Sequence, residues 1–122
     1  MEKPLSIQEA ANQTGLTPYT LRYYEEIGIL PGILRNASGH RIYEAQDLGW
    51  IEWLKLLRSS GMPIETIRQF VQLTRSGDDS IEARCDILDS HRHKIKARIV
   101  ELEGYLEKLE QKVELYRGLT DS

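Results

Sequence analysis

The stretch "SIQEAANQTGLTPYTLRYYEEIG", residues 6–28, decides the fold. It opens with Ser6-Ile7-Gln8-Glu9, a capping box in which the Ser6 hydroxyl accepts from the Glu9 amide while the Glu9 carboxylate reaches back. Ile7, Ala10 and Ala11 give the helix a narrow apolar face, and Gly15 stops it. Leu16 alone separates that stop from Thr17-Pro18, an N-cap followed by proline at the first helical position. The second helix runs to about Ile27 and halts at Gly28. Two short helices joined through a tight glycine turn are the signature of a helix-turn-helix. The second helix has an unusual composition: Tyr19, Arg22, Tyr23 and Tyr24 fall within six residues, where a plain surface helix carries Glu and Lys. Such a face suits a flat or anionic partner.

Further along, Ile33-Leu34-Arg35 and His40-Arg41-Ile42-Tyr43 are β-prone and flank the turn formers Asn36-Ala37-Ser38-Gly39, which predicts a hairpin. Its polar tip belongs outside a core, so the hairpin reads as a wing. Residues 45–59 repeat apolar positions at Leu48, Ile51, Leu54 and Leu57, with Trp50 and Trp53 on flanking faces. Gly61 ends that helix and Pro63 opens another, with Ile64, Ile67, Phe70 and Val71 inward. Ser76-Gly77-Asp78-Asp79-Ser80 is the clearest boundary. It divides residues 1–77, a winged helix-turn-helix domain, from residues 78–122.

From Ser80 to about Arg117 the chain has no proline, and one pattern persists. Ile81, Cys85, Leu88, Arg92, Ile95, Ile99, Leu102, Leu106, Leu109, Val113 and Tyr116 alternate by four and three residues, a heptad seam. A helix of that length, about 57 Å, is too long for a small domain to bury, and the economical partner is a second copy. Residues 81–98 carry five Lys/Arg against three Asp/Glu, and residues 101–117 carry three against five. An antiparallel partner sets the basic half against the acidic half, so the expected fold is mainly α, ending in an antiparallel coiled-coil homodimer. Arg92, the odd polar residue of the seam, is expected to pair with Glu103 or Glu107 of the partner and fix register.

The 122 residues suit one small domain plus an appended element, and the net charge is −3. Residues 1–79 hold eight Lys/Arg against ten Asp/Glu, so a nucleic-acid surface must be local rather than global. The opening MEKPLS lacks a signal-peptide core, no apolar run reaches membrane-span length, and a single cysteine forms no intrachain disulfide. A cytoplasmic location with no membrane partner is expected.

In a helix-turn-helix the start of the second helix enters the major groove, which here presents Thr17, Pro18, Tyr19, Thr20, Arg22 and Tyr23. Arginine binds phosphate or reads guanine with two bonds, and tyrosine combines a ring with a hydroxyl. Tyr24 falls with Leu21 and Ile27 on the inward face and is assigned to the core. Residues 5–75 closely resemble the MerR family of bacterial transcription factors. The resemblance rests on "TLRYYEEIGIL" in the second helix, "GHRIY" on the wing and "LRSSGMPIETI" between the last two helices of the domain. It implies a nucleoid-associated homodimer on a pseudo-palindromic promoter element whose over-long spacer it bends and untwists, acting on RNA polymerase through the DNA. It also implies that Arg22 and Tyr23 face the major groove, while His40, Arg41, Tyr43 and Arg58 serve the backbone; Arg35 of the hairpin is a further DNA-binding candidate. For Tyr43, packing against the third helix stands beside a phosphate contact.

Cys85 is a candidate thiol sensor beside Arg84, against which stands its place as a small apolar residue of the seam. Cys85, His91 and His93 do not share a face, so no metal ligand set and no cofactor are expected. The resemblance agrees: soft-metal members have a cysteine where Ile81 stands, and a cysteine-bearing loop after the coiled coil, before which this sequence ends. By the same resemblance, no large C-terminal effector domain is expected. The sequence looks most like short aldehyde- or stress-responsive members, yet the third helix, which carries a reactive cysteine in several of those, has none here. Trp50 and Trp53 either line a pocket for an unknown small effector or cement the helices. Three rival readings remain. An enzyme lacks a nucleophile and base able to meet. A coiled-coil adaptor leaves Arg22, Arg41 and the wing unexplained. A ligand-independent repressor or architectural DNA-binding protein stays open.

Overall fold

The computed structural model describes residues 3–121. Its elements run β1 (Leu5–Ser6), α1 (Ile7–Thr14), α2 (Pro18–Glu26), β2 (Leu34–Arg35), β3 (Arg41–Tyr43), α3 (Ala45–Ser59), α4 (Ile64–Arg75), a 3-10 turn (Gly77–Ser80) and α5 (Ile81–Thr120). By contacts the chain divides into two compact units, residues 1–84 and 85–122.

Local chemistry explains each boundary of the helix-turn-helix. Ser6 Oγ accepts from the Glu9 amide at 3.2 Å, and Glu9 Oε1 accepts from the Ser6 amide at 2.9 Å, so both arms of the capping box are made. Those hydrogen bonds hold the exposed Glu9 carboxyl below its ordinary pKa, the Ser6 backbone bond first. Gly15 takes φ 78°, a left-handed conformation that an L side chain resists, and its amide closes α1 onto Ala11 O. Thr17 Oγ1 then caps α2 by accepting from the Thr20 amide at 3.1 Å. Lys55 Nζ of α3 donates to the Thr14 carbonyl at the end of α1, satisfying one of the orphan acceptors there.

The core of the N-terminal unit collects Leu21 and Tyr24 of α2, Ile29 and Leu30 after it, Ile51, Leu54 and Leu57 of α3, Met62, and Ile67, Phe70 and Val71 of α4. Each fully buried aliphatic chain contributes about 1.5–3 kcal/mol relative to exposure. The segment after α2 is fastened from both sides. Ile29 and Leu30 amides donate to Tyr24 O at 3.0 and 3.2 Å. Trp50 Nε1 donates to Ile29 O at 2.9 Å, and Arg75 Nη2 to Gly28 O at 3.0 Å. Trp53 stacks at a tilt on Phe70, with centroids 6.3 Å apart. Both tryptophans therefore serve packing.

The hairpin is present, and it is part of a three-stranded antiparallel sheet in the order β1-β3-β2. Leu34 pairs with Ile42 and Arg35 with Arg41. The added strand β1 sets Leu5 against Tyr43 and Ser6 against Ile42. Sequence reading missed it because two residues ahead of a capping box show no period.

The junction after α4 is also bonded. Ser80 Oγ donates to the carbonyls of Leu73 and Gly77, and Arg84 Nε donates to Ser80 Oγ at 3.0 Å. These bonds attach the first turn of α5 to the N-terminal unit. Beyond it α5 continues as one uninterrupted helix with no buried residue, Ile99 being 50% and Leu109 63% exposed.

Tyr43 corrects the sequence reading. Its side chain is 0% exposed, so it is a core residue and leaves the set of backbone-contact candidates. Among the described residues its hydroxyl is a buried polar group with no hydrogen-bond partner. Burial, then the Glu25 carboxylate, push its pKa above the ordinary 10.0. The folded state thus holds the phenol proton more tightly than the unfolded chain, a contribution complete below pH 10.0 and lost as pH rises through the folded value. Tyr43→Phe should leave stability equal or raise it by about 1 kcal/mol in urea unfolding at neutral pH, and should flatten the alkaline loss. A loss above about 1 kcal/mol would mean that the hydroxyl has a partner after all.

Candidate nucleic-acid interface

α2 buries Leu21 and Tyr24 and leaves the opposite side free. Tyr19, Arg22, Tyr23 and Glu26 are spaced three and four apart, and all four are exposed, Tyr19 at 76% and Tyr23 at 40%. Two large aromatic rings thus stand largely in water on a well-capped helix. The Tyr23 ring leans on Tyr24 at 6.2 Å, tilted 45°, which steadies it from beneath. Thr17 and Thr20 are tied to each other through their hydroxyls at 2.9 Å.

The wing turn is ordered by Asn36, whose Oδ1 accepts from the Ser38 and His40 amides, both at 3.0 Å. Gly39 completes it at φ 84°. Arg35 Nη1 donates to Gly39 O at 2.9 Å, lying along its own hairpin. Arg41 Nε meets Glu25 Oε2 in an ion pair with both side chains about three-quarters buried, joining β3 to α2 across the sequence. Arg58 Nη1 donates to Met62 O at 3.3 Å beyond the end of α3.

Between α2, the N-terminal end of α1 and the wing lies an open cleft of about 550 Å³ lined by Lys3, Glu9, Arg22, Arg35, Asn36, His40 and Arg41, among others. Four of the sequence candidates, Arg22, Arg35, His40 and Arg41, are thereby brought to one place. Thr17, Pro18, Tyr19, Thr20, Tyr23 and Arg58 do not line it: Thr17 caps α2, the next four stand on it, and Arg58 is near the end of α3. Sequence reading missed Lys3 and Asn36. The pairing of β1 with β3 is what carries Lys3 there, whereas the Asn of an Asn-Ala-Ser-Gly turn was legible as an Asx turn. The Lys/Arg side chains lining the cleft outnumber Glu9, and Glu25 nearby is engaged by Arg41, so the concave surface is locally cationic in a chain of net charge −3.

Cys85 is a free, exposed thiol, and Arg92 pairs with Asp89 of its own helix. Among the described residues no His/Cys/Asp/Glu group is arranged to hold a metal, and no helix is long and apolar enough to cross a membrane.

A capped helix-turn-helix with a sheet-backed wing and a cationic cleft between them defines a class, the winged DNA-binding regulators. Residues 5–74 match the MerR HTH family regulatory protein profile, and residues 44–112 match the MerR DNA-binding profile. A helix-turn-helix transcriptional regulator of Haemophilus influenzae, itself uncharacterised, is 37% identical over 109 residues, which span 89% of this chain and 81% of the relative. AdhR of Bacillus subtilis, also such a regulator, is 41% identical over 91 residues, 75% of this chain and 65% of AdhR. The crystal structure of HiNmlR, a MerR family regulator lacking the sensor domain and bound to promoter DNA, superposes with a TM-score of 0.88. It has 35% identity, covering 94% of this chain and 91% of that one. The chain belongs to the MerR family of DNA-binding transcriptional regulators, and its kin are regulators rather than enzymes.

Arg22 and Arg41 differ in what they are free to do. Arg41→Gln should lower stability by about 1 kcal/mol through loss of the partly buried pair, and should weaken DNA binding without altering its salt dependence. Arg22→Ala should leave stability within about 0.5 kcal/mol and reduce the slope of log K against log salt by about one. Urea unfolding and anisotropy titrations across salt check both.

Proposed function

We propose that this protein is a bacterial cytoplasmic regulator that binds a pseudo-palindromic promoter element as a homodimer. Tyr19, Arg22 and Tyr23 of α2 enter the major groove, with Thr17, Pro18 and Thr20 at the mouth of the helix. Arg35 and His40 on the wing and Arg58 after α3 hold phosphates. The carrying observation is the exposed Tyr19-Arg22-Tyr23 face, set beside a cationic wing on a rigid helix-turn-helix.

Two copies are needed for a palindrome, and α5 supplies the reason for two. Its seam side chains from Ile99 to Tyr116 stand about half exposed along one helix, which is the condition of a coiled-coil strand without its mate. Each dimer then offers two recognition helices to two half-sites. Distortion of the spacer between them follows as the way a protein that touches only the flanks alters how polymerase sees the centre. The trigger is a stress signal or small effector, with Cys85 the candidate thiol.

Fluorescence anisotropy on DNA from upstream of the protein's own gene should show selective binding of one dimer per site. Arg22→Ala should weaken it by about 1–3 kcal/mol, roughly 5- to 150-fold. Equal, weak binding to scrambled DNA with no effect of Arg22→Ala would remove the recognition-helix assignment. Nuclease footprinting should add hypersensitivity at the centre of the site; a smooth footprint would leave a repressor that binds without bending.

A further inference from the structure

Resting on the recognition-helix reading above, we infer that Trp50 of α3 is a positioning residue for DNA selectivity. Its indole N–H sets the pitch of α2 within the helix-turn-helix. The way α2 ends makes this possible. The Ile27 amide donates to Tyr23 O, Gly28 to Glu25 O, and Ile29 and Leu30 both to Tyr24 O, so the last carbonyls of the helix are met by the chain that follows. Gly28 makes that reversal at φ 86°. α2 and residues 27–30 are therefore one piece, and whatever holds the tail holds the helix.

Two side chains grip the tail. Arg75 Nη2 reaches Gly28 O at 3.0 Å in an exposed place, where water competes for the same carbonyl. Trp50 Nε1 reaches Ile29 O at 2.9 Å in a partly buried one, between the buried Ile29 and the half-buried indole. A phenylalanine would fill much of the same space; the indole adds a donor. Five residues further along α3, Lys55 Nζ donates to Thr14 O at the end of α1. α3 thus takes hold of both helices of the helix-turn-helix, through donors whose backbone positions lie about 7.5 Å apart along its axis.

Packing alone leaves the pitch open. Leu21 and Tyr24 face the core and decide which side of α2 is turned outward. Apolar contact is non-directional, however, and lets a short helix rock, whereas a hydrogen bond has a preferred line. α2 runs from Pro18 to Glu26, about 13 Å, so a rock of about 5° at its tail carries the Tyr19 end by about 1 Å. Contacts to base edges need placement to about 0.5 Å. Attraction to phosphate varies slowly with distance and survives such a shift. Losing the Trp50 bond therefore costs selectivity and spares general affinity for DNA.

Trp50→Phe keeps a ring and deletes the N–H. By anisotropy on the upstream DNA and its scrambled counterpart, it should lower affinity for the upstream site about fivefold and leave affinity for scrambled DNA unchanged. The slope of log K against log salt should also stay as it is, since no phosphate contact is removed. Phe70→Leu loosens the same core through its contact with Trp53 and is party to neither tail bond. It should lower the urea midpoint without moving selectivity. In the unaltered protein the Trp50 indole proton should exchange slowly with water by NMR. Fast exchange, selectivity retained in Trp50→Phe, or an equal loss in Phe70→Leu overturns the positioning role and leaves the recognition helix standing. Selective binding that is indifferent to Arg22→Ala overturns the recognition helix instead.

Discussion

The ion pair between Arg41 and Glu25 is the contact on which the N-terminal unit's working surface depends. It joins β3, the middle strand of the small sheet, to α2. That pair ties β3, which packs on β1, β2 and α1, to α2 as well, and the wing stands beside Arg22 at the cleft. A pair that is partly buried gains more than a surface one because solvent screens it less, although desolvation offsets part of the gain. Its larger effect is geometric: it turns the Glu25 carboxylate of α2 onto Arg41.

Much of this was legible in the sequence, and the reason is that the legible parts are local. Ser6 and Glu9, Thr17 and Pro18, Gly15 and Gly28 act within a few residues of themselves, so helix starts and stops follow from backbone chemistry alone. The amphipathic spacing of Ile51, Leu54 and Leu57 likewise names its own buried side. What escaped was set by distance in the chain. Strand β1 exists because Leu5 finds Tyr43, and nothing near Leu5 announces that. Arg41 resembles any other wing arginine until Glu25, sixteen residues earlier, is seen to hold it. Tyr43 could not be assigned to core or surface without knowing which face of a three-residue strand the helices cover.

Charge shows the same division. A net charge of −3 describes the whole chain poorly, because the acidic residues are concentrated away from the cleft. Opposite signs along α5 are distributed by half, so the same sequence that looks weakly acidic in bulk presents a cationic concavity at one place and a charge gradient at another. A protein of this kind approaches a polyanion through a local field, and long-range attraction is correspondingly modest.

The absence of any buried residue on α5 reaches beyond architecture. Beyond the first turn, which Arg84 ties back to Gly77 and Ser80, a helix of forty residues holds its shape by intrahelical hydrogen bonds and a few weak side-chain pairs, such as Arg98 with Glu101. Paired, it gains a packed seam; alone, it frays from its end and becomes a substrate for proteolysis. On the dimer reading, the amount of the protein in a cell is therefore itself a control variable. Chains abundant enough to pair persist, and chains diluted below the dissociation constant are cleared, so occupancy of the DNA responds to synthesis more steeply than a monomer's would.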